Sequence, residues 1–492
     1  MSMTVKKTTA ALLATGLFAF SSSAIATNGY FTHGVGTESK AMGGTGVGSS
    51  ENMGAISAAT NPALTVFSDE KWQVGLSVFS PMRSYTASSS LANGQGGAFT
   101  LSAGTYDSEN EAFPIPYVAK NWKLSDDNAI TFVFYGRGGM NTEWDGDQSV
   151  LFDPAPGNPF SPGVINPPGV YGGGKAGVDL MQAFMSVNYA AKIGDSFSWG
   201  IGPVVAIQMF EALGVSNFAG YSKTFADVFP VYFGGCLQNG GDQASCQLQA
   251  SGQAAADVTS LTDNGHDSSI GYGASVGMWT GNDTVSFGLA YQTKISMDEF
   301  SDYSDLFAQS GGFDIPSTLK AGLSVKAADD LTFNVDYERI GYSDIDSVSN
   351  PMSNLFTNCW TTDPAGPAGQ VFPDSSGCLG GPKGVGFGWQ DMTVYKFGLA
   401  WDSNDKNTWR FGYSFGDQPI PSSEMLFNIL APGVMEHHFT VGWTSERASG
   451  NVMSLSLMYA PESTVSGTSP FDPTQTIELK MKQLELEFAY RF

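Results

Sequence analysis

The chain closes on QLELEFAYRF, Gln483 to Phe492, and this stretch decides how the rest is read. Leu484, Leu486, Phe488, Tyr490 and Phe492 share one face of an extended strand, while Gln483, Glu485, Glu487, Ala489 and Arg491 share the other. A soluble sandwich could bury such a face against a second sheet. A membrane barrel would turn the same face to lipid. The choice depends on whether the pattern recurs and how its copies are joined.

It recurs along the chain. Trp72 to Val78, Phe113 to Lys123, Ala129 to Glu143, Val178 to Ala191, Phe197 to Ile207, Ile270 to Met278 and Val285 to Tyr291 alternate in the same way. So do Leu319 to Val325, Leu331 to Tyr337, Tyr395 to Trp401, Trp409 to Phe415, Phe439 to Trp443 and Met453 to Tyr459. With the terminal stretch there are fourteen segments, an even number, with lengths that suit tilted transmembrane strands. Short turns rich in Asp, Asn and Gly sit at 125–128, 194–195, 281–283, 328–330, 403–405 and 448–451. Long excursions fall between them, at roughly 81–112, 144–177, 211–267, 298–314, 345–389, 419–434 and 463–476. Strict alternation of short and long connections is the habit of outer-membrane barrels, with tight periplasmic turns and long external loops. Trp72, Trp199, Trp401, Trp409 and Trp443 near strand ends suit interfacial girdles. The apolar faces carry no Lys or Arg; the nearest exception, Arg339, lies at a strand end, where a charge costs little.

Composition agrees. The 492 residues include 60 glycines, 13% aromatics and only 14% charged residues, a balance for strands and turns. A net charge of -24 excludes nucleic acid as a partner, because phosphates would be repelled. Lys6 and Lys7, the apolar run Ala10 to Phe20 and Ala24-Ile25-Ala26 read as a signal peptide over 1–26, cleaved before Thr27; an uncleaved anchor is the weaker alternative, since the run is short. No other apolar run is long enough for a membrane helix, so spanning falls to a closed barrel. The expected fold is all-β: a 14-stranded antiparallel transmembrane β-barrel over 70–492, with an N-terminal plug or hatch, 27–69, in its lumen.

Residues 27–69 are rich in small side chains and lack sustained alternation, which is why they are assigned to the lumen. Met42-Gly43-Gly44-Thr45-Gly46-Val47-Gly48 lacks the preceding strand and following helix of a phosphate loop. Gly29-Tyr30-Phe31, that Gly-rich run and Asn61-Pro62-Ala63 resemble the hatch of FadL-type (OmpP1/FadL/TodX-like) outer-membrane channels for long-chain fatty acids and hydrocarbons. Asn141-Thr142-Glu143, Phe218-Ala219-Gly220, Pro316, Trp389-Gln390-Asp391 with Phe397-Gly398-Leu399, Arg410-Phe411-Gly412-Tyr413 and Pro419-Ile420-Pro421 extend the resemblance in order along the mature chain. It implies capture of a hydrophobic molecule by external loops, a pocket above the hatch, and lateral release where the third strand kinks.

The resemblance places Tyr30, Phe31, Asn61, Pro62 and Ala63 at the hatch and ligand pocket. It places the lateral opening at Gly136, Gly138 and Gly139, which flank Arg137. Long-chain fatty acids come first as cargo; alkanes or monoaromatic hydrocarbons are the alternative, because Asn217 stands where fatty-acid transporters carry an Arg. Lys383 is the other candidate head-group contact. A general diffusion porin would not need the hatch, and an enzyme would need a constellation that four histidines do not assemble. His33, His266, His437 and His438 lack metal-ligand spacing and read as surface or interface residues. No cofactor and no metal are expected. Cys236 and Cys246 share one external loop and Cys359 and Cys378 another, so two local disulfides are the natural reading among three connectivities. The carboxy-terminal Phe492 looks like the sorting signal read by the barrel assembly machinery. Outer-membrane lipid and lipopolysaccharide surround the expected monomer.

Overall fold

The computed structural model describes residues 28–94, 98–152, 164–359 and 374–492; the expected leader, 1–26, lies outside them. Among the described residues fourteen long strands form the wall: β1 Trp72–Ala87, β2 Phe113–Lys123, β3 Asn128–Trp144, β4 Ala176–Lys192, β5 Phe197–Leu213, β6 Asp267–Gly281 and β7 Val285–Gln292. The second half comprises β8 Thr318–Ala328, β9 Leu331–Ile340, β10 Met392–Asn404, β11 Asn407–Gly416, β12 His437–Glu446, β13 Val452–Ser469 and β14 Asp472–Arg491. Each pairs antiparallel with its sequence neighbours, and β14 pairs with β1 from Gln73↔Arg491 to Ala87↔Ile477. Trp72 and Phe492 exchange both main-chain hydrogen bonds at 2.9 Å, so the terminal residue belongs to the closing ladder. Closure removes the open edge that could not survive in hydrocarbon. No helix among the described residues is long and apolar enough to cross a membrane.

The alternation of QLELEFAYRF now has a direction. Leu484, Leu486 and Phe488 are exposed on the outer surface with Leu76 and Val78 of β1, whereas Glu485 and Glu487 are buried with Gln73 and Ser77. The inward polar face is buried because 28–69 fill the lumen. Lys40 pairs with Glu485 and Glu487, each at 2.5 Å. Gly46 and Val47 donate main-chain N–H groups to Asp336 at 2.7 and 2.9 Å. Close main-chain approach requires glycine on the wall: a Cβ on Gly288 would lie 1.9 Å from the Val47 carbonyl oxygen.

Two expectations need correction. Residues 463–476 do not form a loop: β13 and β14 run on to Ser469 and Asp472 and project as a long hairpin. Its outward face there, including Glu462, Thr464, Ser466 and Thr468, is polar, which erased the apolar alternation used to find strands. His33 and His438 are not surface residues. Both are buried, with rings stacked 5.8 Å apart, because the hatch covers the wall position that carries His438. His266 is exposed at the outer rim. The loop after β5 forms two helices, Lys223–Gln238 and Gln243–Asp257, joined by the Cys236–Cys246 disulfide; Cys359–Cys378 is the second bridge.

Candidate functional site

The ladder between β2 and β3 runs from Lys123↔Ala129 to Tyr117↔Tyr135 and stops, although β2 continues along β1 to Phe113↔Phe79. Two sequence features account for this. On β2, Asn121 sends its N–H toward Lys71 on the β1 side and Leu124 sends its N–H to Asn128 on the β3 side. Alternation therefore turns positions 114 and 116 toward β3, and both are proline, with no N–H to give. On β3 the register with β4 slips between Gly136↔Ala183 and Gly138↔Gln182, leaving Arg137 as the extra residue of a bulge. A bulge bends its strand. The two strands part above Tyr135, and a side gap results.

The freed edge of β3 is satisfied by other groups. Thr32 donates its N–H to the Arg137 carbonyl at 2.8 Å, and Gly139 donates to the Tyr30 carbonyl at 3.0 Å, so the hatch tip takes the place of the missing strand. Further out, the Arg83 guanidinium reaches the Asn141 carbonyl, and Glu109 N–H donates to the Glu143 carbonyl at 2.9 Å. Gly138 allows the close approach: a Cβ there would lie 3.2 Å from the Phe31 ring and 2.0 Å from Gln182 Oε1.

Tyr30 and Phe31 are fully buried, their ring centroids 4.9 Å apart. Tyr30 packs on Tyr342 at 5.2 Å and Trp389 at 5.8 Å. The Tyr342 hydroxyl accepts the Tyr30 N–H at 3.2 Å and donates to the Asn28 carbonyl at 2.5 Å. Arg137 lies 4.3 Å from the Phe31 ring centroid. Gly136, Gly138, Gly139, Tyr30 and Phe31 are thus brought together. Asn61, Pro62 and Ala63 are not with them. They sit lower in the lumen, where Asn61 Nδ2 donates to the carbonyls of Val47 and Met278 at 2.9 and 3.0 Å and its side-chain oxygen caps the turn at Ala63.

Three cavities lie near the neighbours of this tip, although neither Tyr30 nor Phe31 lines any of them. The outermost has about 510 Å³ of empty space among the loops, open solvent at its mouth included, and is lined by Val178, Phe210, Phe218, Phe307, Phe387 and Leu430 among others. Among the described residues its lining holds no charged side chain. A second, about 210 Å³, shares Leu430 and extends to Met140, Thr142, Trp389 and Arg83 beside the gap. A third, about 360 Å³ and more polar, lies between Pro62 and the wall residues Arg137, Gln292 and Lys320. Asn217 and Lys383 line none of the three. Asn217 is exposed and donates to the Tyr171 carbonyl at 2.8 Å, and Lys383 is exposed beside Ser376, whose carbonyl accepts its N–H at 2.7 Å. The Cys359–Cys378 bridge adjoins Leu379, a lining residue of the outer cavity.

Pro114, Pro116 and Tyr342 carry parts of this geometry that the sequence reading does not flag, and Trp389 enters there only as a mark of the family resemblance. The alternating prolines of Phe113-Pro114-Ile115-Pro116 were visible in the sequence; the meeting of Tyr342 and Trp389 with the tip depends on contacts more than 300 residues apart. At the rim, His266 Nε2 lies 3.0 Å from Asp179 and Nδ1 lies 3.4 Å from Glu211, and the hydrogen bond to Asp179 holds the imidazole above its ordinary pKa. No group of His, Cys, Asp and Glu suited to a metal ion occurs among the described residues.

The family model for outer membrane protein transport proteins (OMPP1/FadL/TodX) matches residues 166–445. The fold is similar to that of the toluene transporter TodX of P. putida, with 15% identity, a TM-score of 0.56, and 93% of this chain and 98% of that one covered. It is also similar to a Pseudomonas aeruginosa FadL homologue, with 13% identity, a TM-score of 0.58, and coverage of 94% and 99%. The Ralstonia pickettii toluene transporter TbuX aligns with 15% identity, a TM-score of 0.52, and coverage of 93% and 98%. No curated protein matches the sequence.

Proposed function

The chain belongs to the OMPP1/FadL/TodX family of outer membrane transport proteins, and from that premise we propose that it takes up uncharged hydrophobic molecules of hydrocarbon type and releases them sideways between β2 and β3. The observation that carries this reading is the apolar outer cavity, which shares Leu430 with the cavity beside the side gap. A lining of aromatic and aliphatic side chains binds by excluding water from apolar surface and gives a free carboxylate no partner. The lateral route suits such cargo because the molecule enters the bilayer without crossing periplasmic water. Toluene, the cargo for which TodX and TbuX are named, is the natural first probe. Cells expressing the protein should take up labelled toluene faster than cells without it, and Phe387→Glu, which puts a charge into the outer cavity, should abolish the difference. Uptake unaffected by Phe387→Glu would overturn the route.

Fatty-acid transport is the second reading, and one observation favours it. Lys320 faces the polar cavity, with its ammonium 3.8 Å from Glu338. A carboxylate entering there would find Lys320 and Arg137. Lys320→Met should lower oleate uptake while sparing toluene if this reading holds. Both readings assume a monomer in a lipopolysaccharide-bearing membrane, exported by the 1–26 leader and inserted by the assembly machinery through the Phe492 strand.

A further inference from the structure

We propose that Arg137 is the latch that holds the hatch tip against the side gap, a positioning residue for the transport step; this rests on the lateral route proposed above. Arg137 is the extra residue of the β3 bulge, and the alternation that turns Val133 and Tyr135 inward also turns its buried side chain into the lumen. Its main chain and side chain grip the same short segment. The carbonyl accepts the Thr32 N–H at 2.8 Å, and the guanidinium covers the Phe31 ring at 4.3 Å. The same guanidinium donates to Glu338 at 3.0 Å and to Gln292 at 3.4 Å. Glu338, on β9, also binds Lys396 at 2.7 Å, and the Lys396 ammonium donates to the His33 carbonyl at 2.7 Å.

Phe31 and His33 are therefore fastened, by different cations, to one carboxylate on another part of the wall. An apolar molecule that displaces Phe31 removes the ring from the guanidinium and pulls Tyr30 and Thr32 from the β3 edge in the same movement. The gap opens because the group that fills it has left. A lysine would keep the charge opposite Glu338 but would not supply a flat, delocalised cation to lie on a ring.

The test uses the full chain folded in phospholipid vesicles. All four cysteines are in disulfides, so Thr32→Cys supplies a unique buried thiol at the tip, and Ser57→Cys supplies a control thiol lower in the hatch. Labelling by a bilayer-soluble maleimide reports release of each site. With no cargo present, Arg137→Ala should raise the labelling rate at Thr32→Cys about tenfold, the size of a lost desolvated cation–π contact. Arg137→Lys should show a smaller increase, and the rate at Ser57→Cys should stay at its parent value. Phe31→Leu breaks the same contact from the hatch side and should reproduce the increase if the Arg137 variant does not fold. The toluene concentration giving half-maximal uptake should fall in both variants, since the cargo no longer competes with the guanidinium for the ring.

Unchanged labelling at Thr32→Cys in both variants, or an equal rise at Ser57→Cys, overturns the latch. Fast tip labelling in the variants, with parent uptake of toluene at background, supports the latch and fails the transport reading. Normal parent uptake with unchanged tip labelling fails the latch alone.

Discussion

The two seams that flank β1 and β2 are built differently. Where β14 meets β1 the ladder is continuous over fifteen register pairs, and where β2 meets β3 it holds for seven. The hatch treats the seams differently as well. At the sealed seam it is fixed by charge, with Lys40 inserted between Glu485 and Glu487. At the open seam the β3 edge holds it by two main-chain hydrogen bonds and one ring under Arg137, while Tyr342 and Lys396 bond Tyr30, Asn28 and His33 from another part of the wall. Buried charges cannot be pulled apart without leaving one unpaired, whereas main-chain bonds of the β-ladder kind can be re-made with water or another strand. The lumen plug thus has a fixed foot and a releasable tip.

The largest expected effect breaks the fixed side. Lys40→Met leaves Glu485 and Glu487 buried together without a cation, and loss of one partner of a buried pair costs about 3–5 kcal/mol. The midpoint of urea unfolding in vesicles should fall accordingly. Stability equal to the parent's would mean that the foot is not held by charge. Next, Phe488→Arg puts a cation on the lipid face of β14, at a cost of about 2–4 kcal/mol if the position lies near the midplane. The same unfolding titration measures it, and its product should still show the parent's labelling at a hatch thiol, because the substitution faces away from the lumen.

A third change would convert the open seam into the sealed kind. Pro114→Val with Pro116→Thr restores two N–H donors on the side of β2 that faces β3 and adds β-branched side chains that favour the pleat. The gap should narrow and toluene uptake should fall about tenfold, the effect of roughly 1.4 kcal/mol on a rate. This pair is a cleaner test than Gly138→Val with Gly139→Val. A Cβ at Gly138 meets both Gln182 and Phe31, so that double change would disturb the hatch tip along with the strand.

The strand register was legible because lipid enforces it: an outward position must be apolar, and period two survives in every segment that crosses the bilayer. Legibility ended where lipid ended. The polar upper parts of β13 and β14 read as a loop because nothing outside the membrane demands an apolar face. His33 and His438 read as surface or interface residues for a related reason, since a plugged lumen buries polar side chains and their burial is set by a partner 405 positions away in the stacked pair. At the candidate site the glycines of β3 were readable as a kink, yet its cause is shared with Pro114 and Pro116 one strand earlier. The loop positions Asn217 and Lys383 came from the resemblance alone, and the loops place them on the surface.

The smallest expected effect sits at the rim above β4 and β5, beside the open seam. His266 lies between Asp179 of β4 and Glu211 of β5 and ties the end of the helical loop to the wall. Its pKa is raised above the ordinary value of 6.5, first by the hydrogen bond to Asp179. A group whose folded pKa is raised stabilises the folded form fully below its unfolded pKa and loses that contribution as pH rises through the folded value. The tie is therefore strongest below pH about 6.5 and weakens above it. Side chains about a third exposed are partly screened, so the contribution is about 0.2–1 kcal/mol, a change of up to about fivefold in local opening. Hydrogen exchange of amides 258–266, corrected for intrinsic pH dependence, should show greater protection at pH 6 than at pH 9. His266→Ala should remove the difference while leaving amides on the β14–β1 ladder unaffected. Equal protection at both pH values in the parent would show that the rim beside the gap is held by packing alone.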